Sequence, residues 1–222
     1  LAGRNLLWDE NLEAMKFEMR TNTFPLEHSA DWRFLLPISA NSACLLLGRG
    51  LGDVAQLFAQ LGFPTHLADF EELRRETPLL LTNFDFALLP LGFVGNTLNK
   101  EVETLAEIAK MLRPGGRILL GFSNRYNIYP ARSAATSPAA PARIRKALTA
   151  AGYAEAVFYA ALPNLELAEY IFPLNRQAAA FVLDRRYQHK TPFGPQGWKA
   201  LLGIAPLLLD LFPAYFATAV LR

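Results

Sequence analysis

Apolar residues follow this chain in two rhythms. In four places they run almost unbroken: "ACLLL" (43–47), "FDFALLPL" (84–91), "RILLGF" (117–122) and "AYFATAV" (214–220). Short runs of this kind, bounded by Gly, Pro and Asn, predict strands covered on both faces. "FPTHLADF" predicts a shorter strand ending at Asp69, and "AEAVFYAALP" another that ends at Pro163. Between the runs, apolar residues recur at helical spacing. "DVAQLFAQLG" predicts a helix to Gly62. In "NKEVETLAEIAKMLRPGG", Val102, Leu105, Ile108, Ala109 and Leu112 share one face, and Pro114-Gly115-Gly116 ends the helix. "ARIRKALTAAGY" predicts a helix ending at Gly152. "TPFGPQGWKALLGIAPLLLDLF" predicts one with a bend near Pro206. "NLLWDENLEAMKFEMR" predicts an amphipathic helix near the start, and "EELRRE" a brief one before a short strand at 79–81.

Strands alternating with helices predict an α/β fold, a mainly parallel sheet with helices on both faces. We expect a single domain over 1–222, with a helical lead-in at 1–34 and an insertion or lid at 163–212 before the last strand. The connections 124–141 and 163–195 are long for plain linkers, and long ordered insertions often cover an active site.

Composition narrows the function classes. The chain has 222 residues, 52% of them hydrophobic and 19% charged, enough to bury a core in one domain and too apolar for disorder. A formal net charge of +2 without a basic stripe argues against nucleic acid. The lone Cys44 excludes a disulfide within the chain and fits a reducing, cytoplasmic compartment; its apolar surroundings predict a core residue, not a nucleophile. His28, His66 and His189 lie far apart, so no metal site is expected. The apolar stretch 200–220 is interrupted by Pro206, Asp210 and Pro213, which predicts no transmembrane segment but leaves contact with a membrane surface open.

Candidate chemistry gathers at "LLLGRGLGD". Gly48, Gly50 and Gly52 occupy alternate positions between a strand and a helix. Glycine there admits positive φ and close approach of a ligand, and the helix start offers free N–H donors. Asp69, ending the next strand, can accept hydrogen bonds from both hydroxyls of a ribose, or cap the segment after it. A dinucleotide fingerprint would need glycine at position 53, which is Asp53, so a nicotinamide enzyme is disfavoured.

With these motifs the sequence resembles the class I S-adenosylmethionine-dependent methyltransferases. "LLPISANSACLLLGRGLG" is similar to that family's first motif and its lead-in. "THLADF" resembles the second, whose acid binds the cofactor ribose, here Asp69. "MLRPGGRILLGF" closely resembles the helix, turn and fifth strand, while "AGYAEAVFYAALP" and "AYFATAVLR" are similar to the sixth and seventh. The resemblance implies a Rossmann-like seven-stranded sheet of order 3-2-1-4-5-7-6, with the last strand antiparallel and S-adenosylmethionine as cofactor. It assigns Gly48, Gly50, Gly52 and Asp69 to the cofactor, with Asn83 or Thr82 near the adenine. The stretch from Ala151 to Asn175 resembles a tail in bacterial methyltransferases that accompany glycan or secondary-metabolite genes.

Two positions depart from the family pattern. Leu46 stands where an acid commonly helps hold the methionine ammonium, and Arg49 adds positive charge beside a cationic sulfonium. The stretch from Asp69 to Phe84 is also short for a helix and a third strand.

Methyl transfer is a direct displacement, so the protein must align acceptor and methyl group and in some cases remove a proton. The candidates are Asn96 after the fourth strand and Asn124 and Tyr126 after the fifth, with Ser123 and Arg125 beside them. Each also suits a plain loop-capping role. His66, within a strand, suits a packed histidine better than a base. "LPNLELAEYIFPLN" and "YQHKTPFGPQGW" could form a lid over a large or lipophilic acceptor, or an aromatic-rich protein-binding surface over 163–198. Two functions follow: methyl transfer to a small-molecule, glycan or lipid-like acceptor, or a catalytically silent methyltransferase-like subunit that serves assembly or interaction.

Overall fold

A computed structural model describes residues 31–39, 41–48, 50–69, 83–92, 97–124, 139–166, 168–187, 195–204 and 206–222. The predicted amphipathic helix at 5–20, the "EELRRE" segment and the strand expected at 79–81 lie outside these residues.

Among the described residues, seven strands form one sheet: β1 (Cys44–Leu47), β2 (Thr65–Ala68), β3 (Phe84–Leu89), β4 (Leu112–Ser123), β5 (Tyr153–Leu162), β6 (Tyr170–Pro173) and β7 (Ala214–Leu221). The helices are α1 (Gly52–Gln60), α2 (Leu98–Met111), α3 (Pro141–Ala150), α4 (Arg176–Tyr187) and α5 (Pro195–Ile204), with 3-10 turns at Trp32–Leu35 and Pro206–Leu211. The sheet order is β2-β1-β3-β4-β7-β5-β6. β1 pairs in parallel with β2 and β3, and β3 with β4. β7 runs antiparallel between β4 and β5. This is the Rossmann-like, seven-stranded α/β sheet expected, with its last strand reversed. The edge strand β6, antiparallel to β5, comes from the stretch between β5 and β7.

The unbroken apolar runs follow from this topology. β1 lies between two neighbours with helices on both sides, so all four of its residues are buried. Leu45 and Leu47 join the core under α2 and α3, with Leu105, Ile108, Ile144 and Leu148. Cys44 and Leu46 join the core under α1, with Val54, Phe58, Trp32 and Leu36. Burying each such leucine contributes roughly 1.5–3 kcal/mol. Edge strand β2 is only half covered, and Leu67 remains exposed.

Three elements differ from the sequence reading. α2 stops at Met111, and Leu112 already has extended backbone. Arg113 precedes a proline, which disfavours helical geometry there. Pro114-Gly115-Gly116 then forms an irregularity within β4, where the register steps from Phe84↔Leu112 to Phe86↔Arg117. α4 falls where sequence spacing shows no amphipathic stripe: its buried side carries Ala179, Ala180 and Val182, while Phe181 lies outward. β6 has only four residues, too few for a period to register.

Candidate active site at the carboxyl edge of the sheet

The parallel strands end together at one edge, where ligands of open α/β sheets bind. There β1 passes into the glycine turn. Gly48 has φ +132° and Gly50 φ +75°, backbone that side chains other than glycine seldom adopt. Among the described residues, a Cβ on Gly48 would meet only Leu51 Cδ1, at 3.7 Å, and one on Gly50 or Gly52 would meet nothing within 4 Å. These two glycines therefore border open space and do not serve close packing. Leu51, buried, makes the turn's anchor and precedes α1 without a side-chain cap, so the first N–H groups of the helix have no side-chain acceptor from the capping position.

β2 brings its end to the same place. The Gly48 N–H donates to Ala68 O at 3.2 Å, so the half-buried Asp69 follows directly beside the glycine turn. The structure thus brings Gly48, Gly50, Gly52 and Asp69 together. It does not bring Asn83 to them. Asn83 immediately precedes the amino end of β3, exposed and with φ +83°. β1 and β3 are parallel with Leu46 opposite Leu88. At about 3.3 Å per residue, Asn83 lies about 16 Å along the strands from that level. It stands at the entry to β3, at the opposite edge of the sheet. Thr82, Arg49, Asn96, Arg125 and Tyr126 lie outside the described residues.

Leu46 is fully buried under α1, so no side chain at this position faces a ligand at the edge. Cys44 beside it is equally buried, and desolvation, reinforced by the charge of Asp85, pushes its thiol up to about 12. It is a core residue and stays protonated.

The other half of the edge is filled. Asn124, predicted as a catalytic candidate, is buried, and its Nδ2 donates to Asp210 O at 2.6 Å and Phe212 O at 2.8 Å, with Tyr215 Oη at 3.4 Å. Its backbone N–H donates to Pro213 O at 2.9 Å. The side chain fastens the end of β4 to the segment leading into β7 and has no amide hydrogen left to orient an acceptor. Tyr215 in turn donates to Leu209 O at 3.1 Å, and burial, aided by the charge of Asp210, raises its phenol above the ordinary range. Ser123, the last residue of β4, is buried, with its carbonyl accepting from Ala139 N–H at 2.9 Å.

Three contacts at this half were not foreseen. Gly121 lies against the Pro90 carbonyl, which a Cβ would strike, and Leu165 Cδ2 sits 3.3 Å from that Cβ position. Leu165 is carried by the β5–β6 hairpin loop and is buried, so this loop covers the ends of β3 and β4. An isolated glycine inside an apolar strand is the available signal for such an approach; nothing in the local sequence marks Leu165. The third contact joins the first turns of α2 and α3. Glu101, buried, takes the Arg143 guanidinium in a two-pronged pair at 2.7 and 2.9 Å. Burial raises the Glu101 carboxyl above its ordinary range, against the pull of Arg143. His66 sits half-buried in β2 with its ring 6.2 Å from that of Phe84, a packing position at the amino half of the sheet.

No known sequence family matches the chain, and no curated protein does. Solved structures do. A SAM-dependent methyltransferase from Archaeoglobus fulgidus aligns over 94% of this chain and 93% of its own, with a TM-score of 0.52 and 14% identity. One from Thermotoga maritima, described as a possible histamine N-methyltransferase, covers 96% of both chains at TM-score 0.49 and 14% identity. A third, from Mesorhizobium loti, covers 85% of this chain and 94% of its own at TM-score 0.46 and 13% identity. The first of these, together with the strand order, gives the chain a class I methyltransferase-like fold.

Proposed function

We propose that this chain binds S-adenosylmethionine at the carboxyl edge of its sheet and transfers the methyl group to a small-molecule, glycan or lipid-like acceptor. One observation carries the reading: Gly50, in left-handed backbone, and Gly52 border open space among the described residues, and Gly48 is bonded to Ala68, directly before Asp69. Gly48, Gly50 and Gly52 would let the cofactor approach the backbone, the first N–H groups of α1 would face it, and the Asp69 carboxylate would accept from its ribose hydroxyls. When bound, the cofactor supplies an electrophilic methyl group on sulfur. The protein's task is alignment and exclusion of water. With Leu46 buried, the methionine ammonium has no carboxylate from β1, and its anchor must come from backbone carbonyls or another residue of this edge. The hairpin loop bearing Leu165 packs over the ends of β3 and β4, and a lid role for the 163–212 insertion accords with that position.

Calorimetric titration with S-adenosylhomocysteine tests this. Binding is expected, and Asp69→Ala should weaken it roughly tenfold or more, as for loss of hydrogen bonds to a charged group. No heat of binding at millimolar ligand, from protein with an intact melting transition, would leave a silent domain of this fold.

A further inference from the structure

The strand order reverses between β1 and β3. The chain leaves β1 through α1 for β2 on one side, and leaves β3 through α2 for β4 on the other. Ligands of open α/β sheets sit in the crevice at such a point. One wall of this crevice is the glycine turn leading into α1. The other is the end of β3 and the start of α2. Little apolar packing holds that second wall. In the first turn of α2, Leu98, Asn99 and Lys100 are exposed, and Glu101 is the buried residue, 1% exposed. The first fully buried apolar side chain of the helix is Leu105, a turn further on. Thr97 caps the turn by accepting from Lys100 N–H at 3.3 Å, but is itself exposed. Among the described contacts, the firmest tie from this turn to the rest of the protein is the two-pronged bond from Arg143 at 2.7 and 2.9 Å. Arg143 is placed to transmit position. It lies in the first turn of α3 between the buried Pro141 and Ile144, and Ala139 just upstream donates to Ser123 O at the end of β4, at 2.9 Å.

The pair is a poor source of stability. A guanidinium in the first turn of a helix stands at the positive end of the helix dipole. Burial also outweighs the pull of Arg143 on the Glu101 carboxyl. Two apolar side chains of similar volume would fasten the helices at least as firmly. What a fork on a carboxylate adds is a fixed geometry. We infer that Glu101 and Arg143 are positioning residues for the candidate site: their pair fixes the start of α2 against α3 and the end of β4, and so sets the crevice wall that faces the glycine turn. The effect on ligand binding rests on the proposed cofactor site, whereas the fastening of α2 is read without a ligand.

Two measurements on Glu101→Gln, Arg143→Met and the double variant test this. The first is hydrogen exchange of the amides of 101–104, whose helical acceptors are the carbonyls of 97–100. Exchange there should quicken roughly tenfold in each variant, with the amides of 106–111 unchanged. The second is calorimetric titration with S-adenosylhomocysteine. Affinity should fall about three- to tenfold in each single variant with the cooperative melt retained, and no further in the double variant, since both substitutions break one contact. Arg143→Lys keeps the charge without the fork and should recover part of the affinity. If Arg143→Met fails to fold around a stranded carboxylate, Glu101→Gln, which buries no charge, carries both readings. Unchanged exchange at 101–104 in Glu101→Gln overturns the fastening. Faster exchange with wild-type affinity overturns the positioning role. A wild-type protein that binds no ligand sinks the cofactor site itself, and the positioning role with it, while exchange still reports whether the pair holds α2.

Discussion

The two halves of the carboxyl edge use glycine for opposite purposes. Around β1, Gly50 and Gly52 border no described residue, and the turn beside them is held by Leu51 and by the Gly48–Ala68 hydrogen bond. Around β4, Gly121 is pressed against the Pro90 carbonyl and Leu165, and Asn124 has its amide hydrogens committed to the chain. One half keeps room for a ligand at the expense of local contacts; the other spends its polar groups on joining β4, the 206–213 segment and β7. Substitutions at the filled half should therefore be read in stability, and those at the open half in binding.

Gly121→Ala should have the largest effect. Its Cβ meets backbone that cannot rotate away, and overpacking of this kind costs about 3 kcal/mol. A fall in Tm of roughly 6–12 °C is expected by calorimetry; an unchanged Tm would show that the two strand ends are not in contact. Asn124→Ala comes next. It strands two carbonyl acceptors at a buried junction, a loss of about 2 kcal/mol, visible as a lower urea midpoint. Were its amide instead engaged with an acceptor, the midpoint would hold and only turnover would fall.

Glu101 gives a slope where those variants give a step. Because burial raises its folded pKa, its contribution is fully favourable below the ordinary value of 4.5 and is lost as pH rises through the raised one. Thermal melts across that range should show wild type losing ground to Glu101→Gln as pH increases. The reverse trend would mean that Arg143 outweighs burial.

The open half should give the smallest stability changes. Gly50→Ala places a side chain at φ +75° without a collision, costing about 1 kcal/mol. Gly52→Ala, in the first turn of α1, should leave stability within about 0.5 kcal/mol or raise it slightly. If the turn cradles a ligand, Gly52→Ala should nonetheless weaken S-adenosylhomocysteine binding in titration. Tight binding in that variant would separate the turn from the cofactor.

The comparison also explains what the sequence could disclose. β1, β3, β4 and β7 are covered on both faces, so they write themselves as unbroken apolar runs; β1, β3 and β7 are located within two residues, and β4 is located except for its first five residues, which precede the run. Helix α2 carries a full stripe, and only its last turn is misread, because Leu112 is apolar whether it closes a helix or opens a strand. α4 is hidden because Phe181 stands on its outer side and alanines on its inner one. The placement of the glycine turn beside Asp69 is legible because it follows backbone rules local to β1, its turn and β2. Asn124 is not. A polar residue at a strand end looks the same whether it faces a substrate or the carbonyls of Asp210 and Phe212, which are distant in sequence. Asn83 is ambiguous for a related reason: it follows the short strand expected at 79–81 and also opens the run at 84–91, and these place it at opposite ends of the sheet.

β7 has a bearing on how the molecule is assembled. It lies between β4 and β5 in the sheet yet follows both in the chain. The β5–β6 hairpin touches the rest of the sheet's hydrogen-bond ladder solely through it among the described strands. During synthesis, the β5–β6 hairpin gains a strand partner outside itself only when 214–221 emerge. The right-hand third of the molecule thus closes last, through contacts distant in sequence, which favours slow completion of the fold.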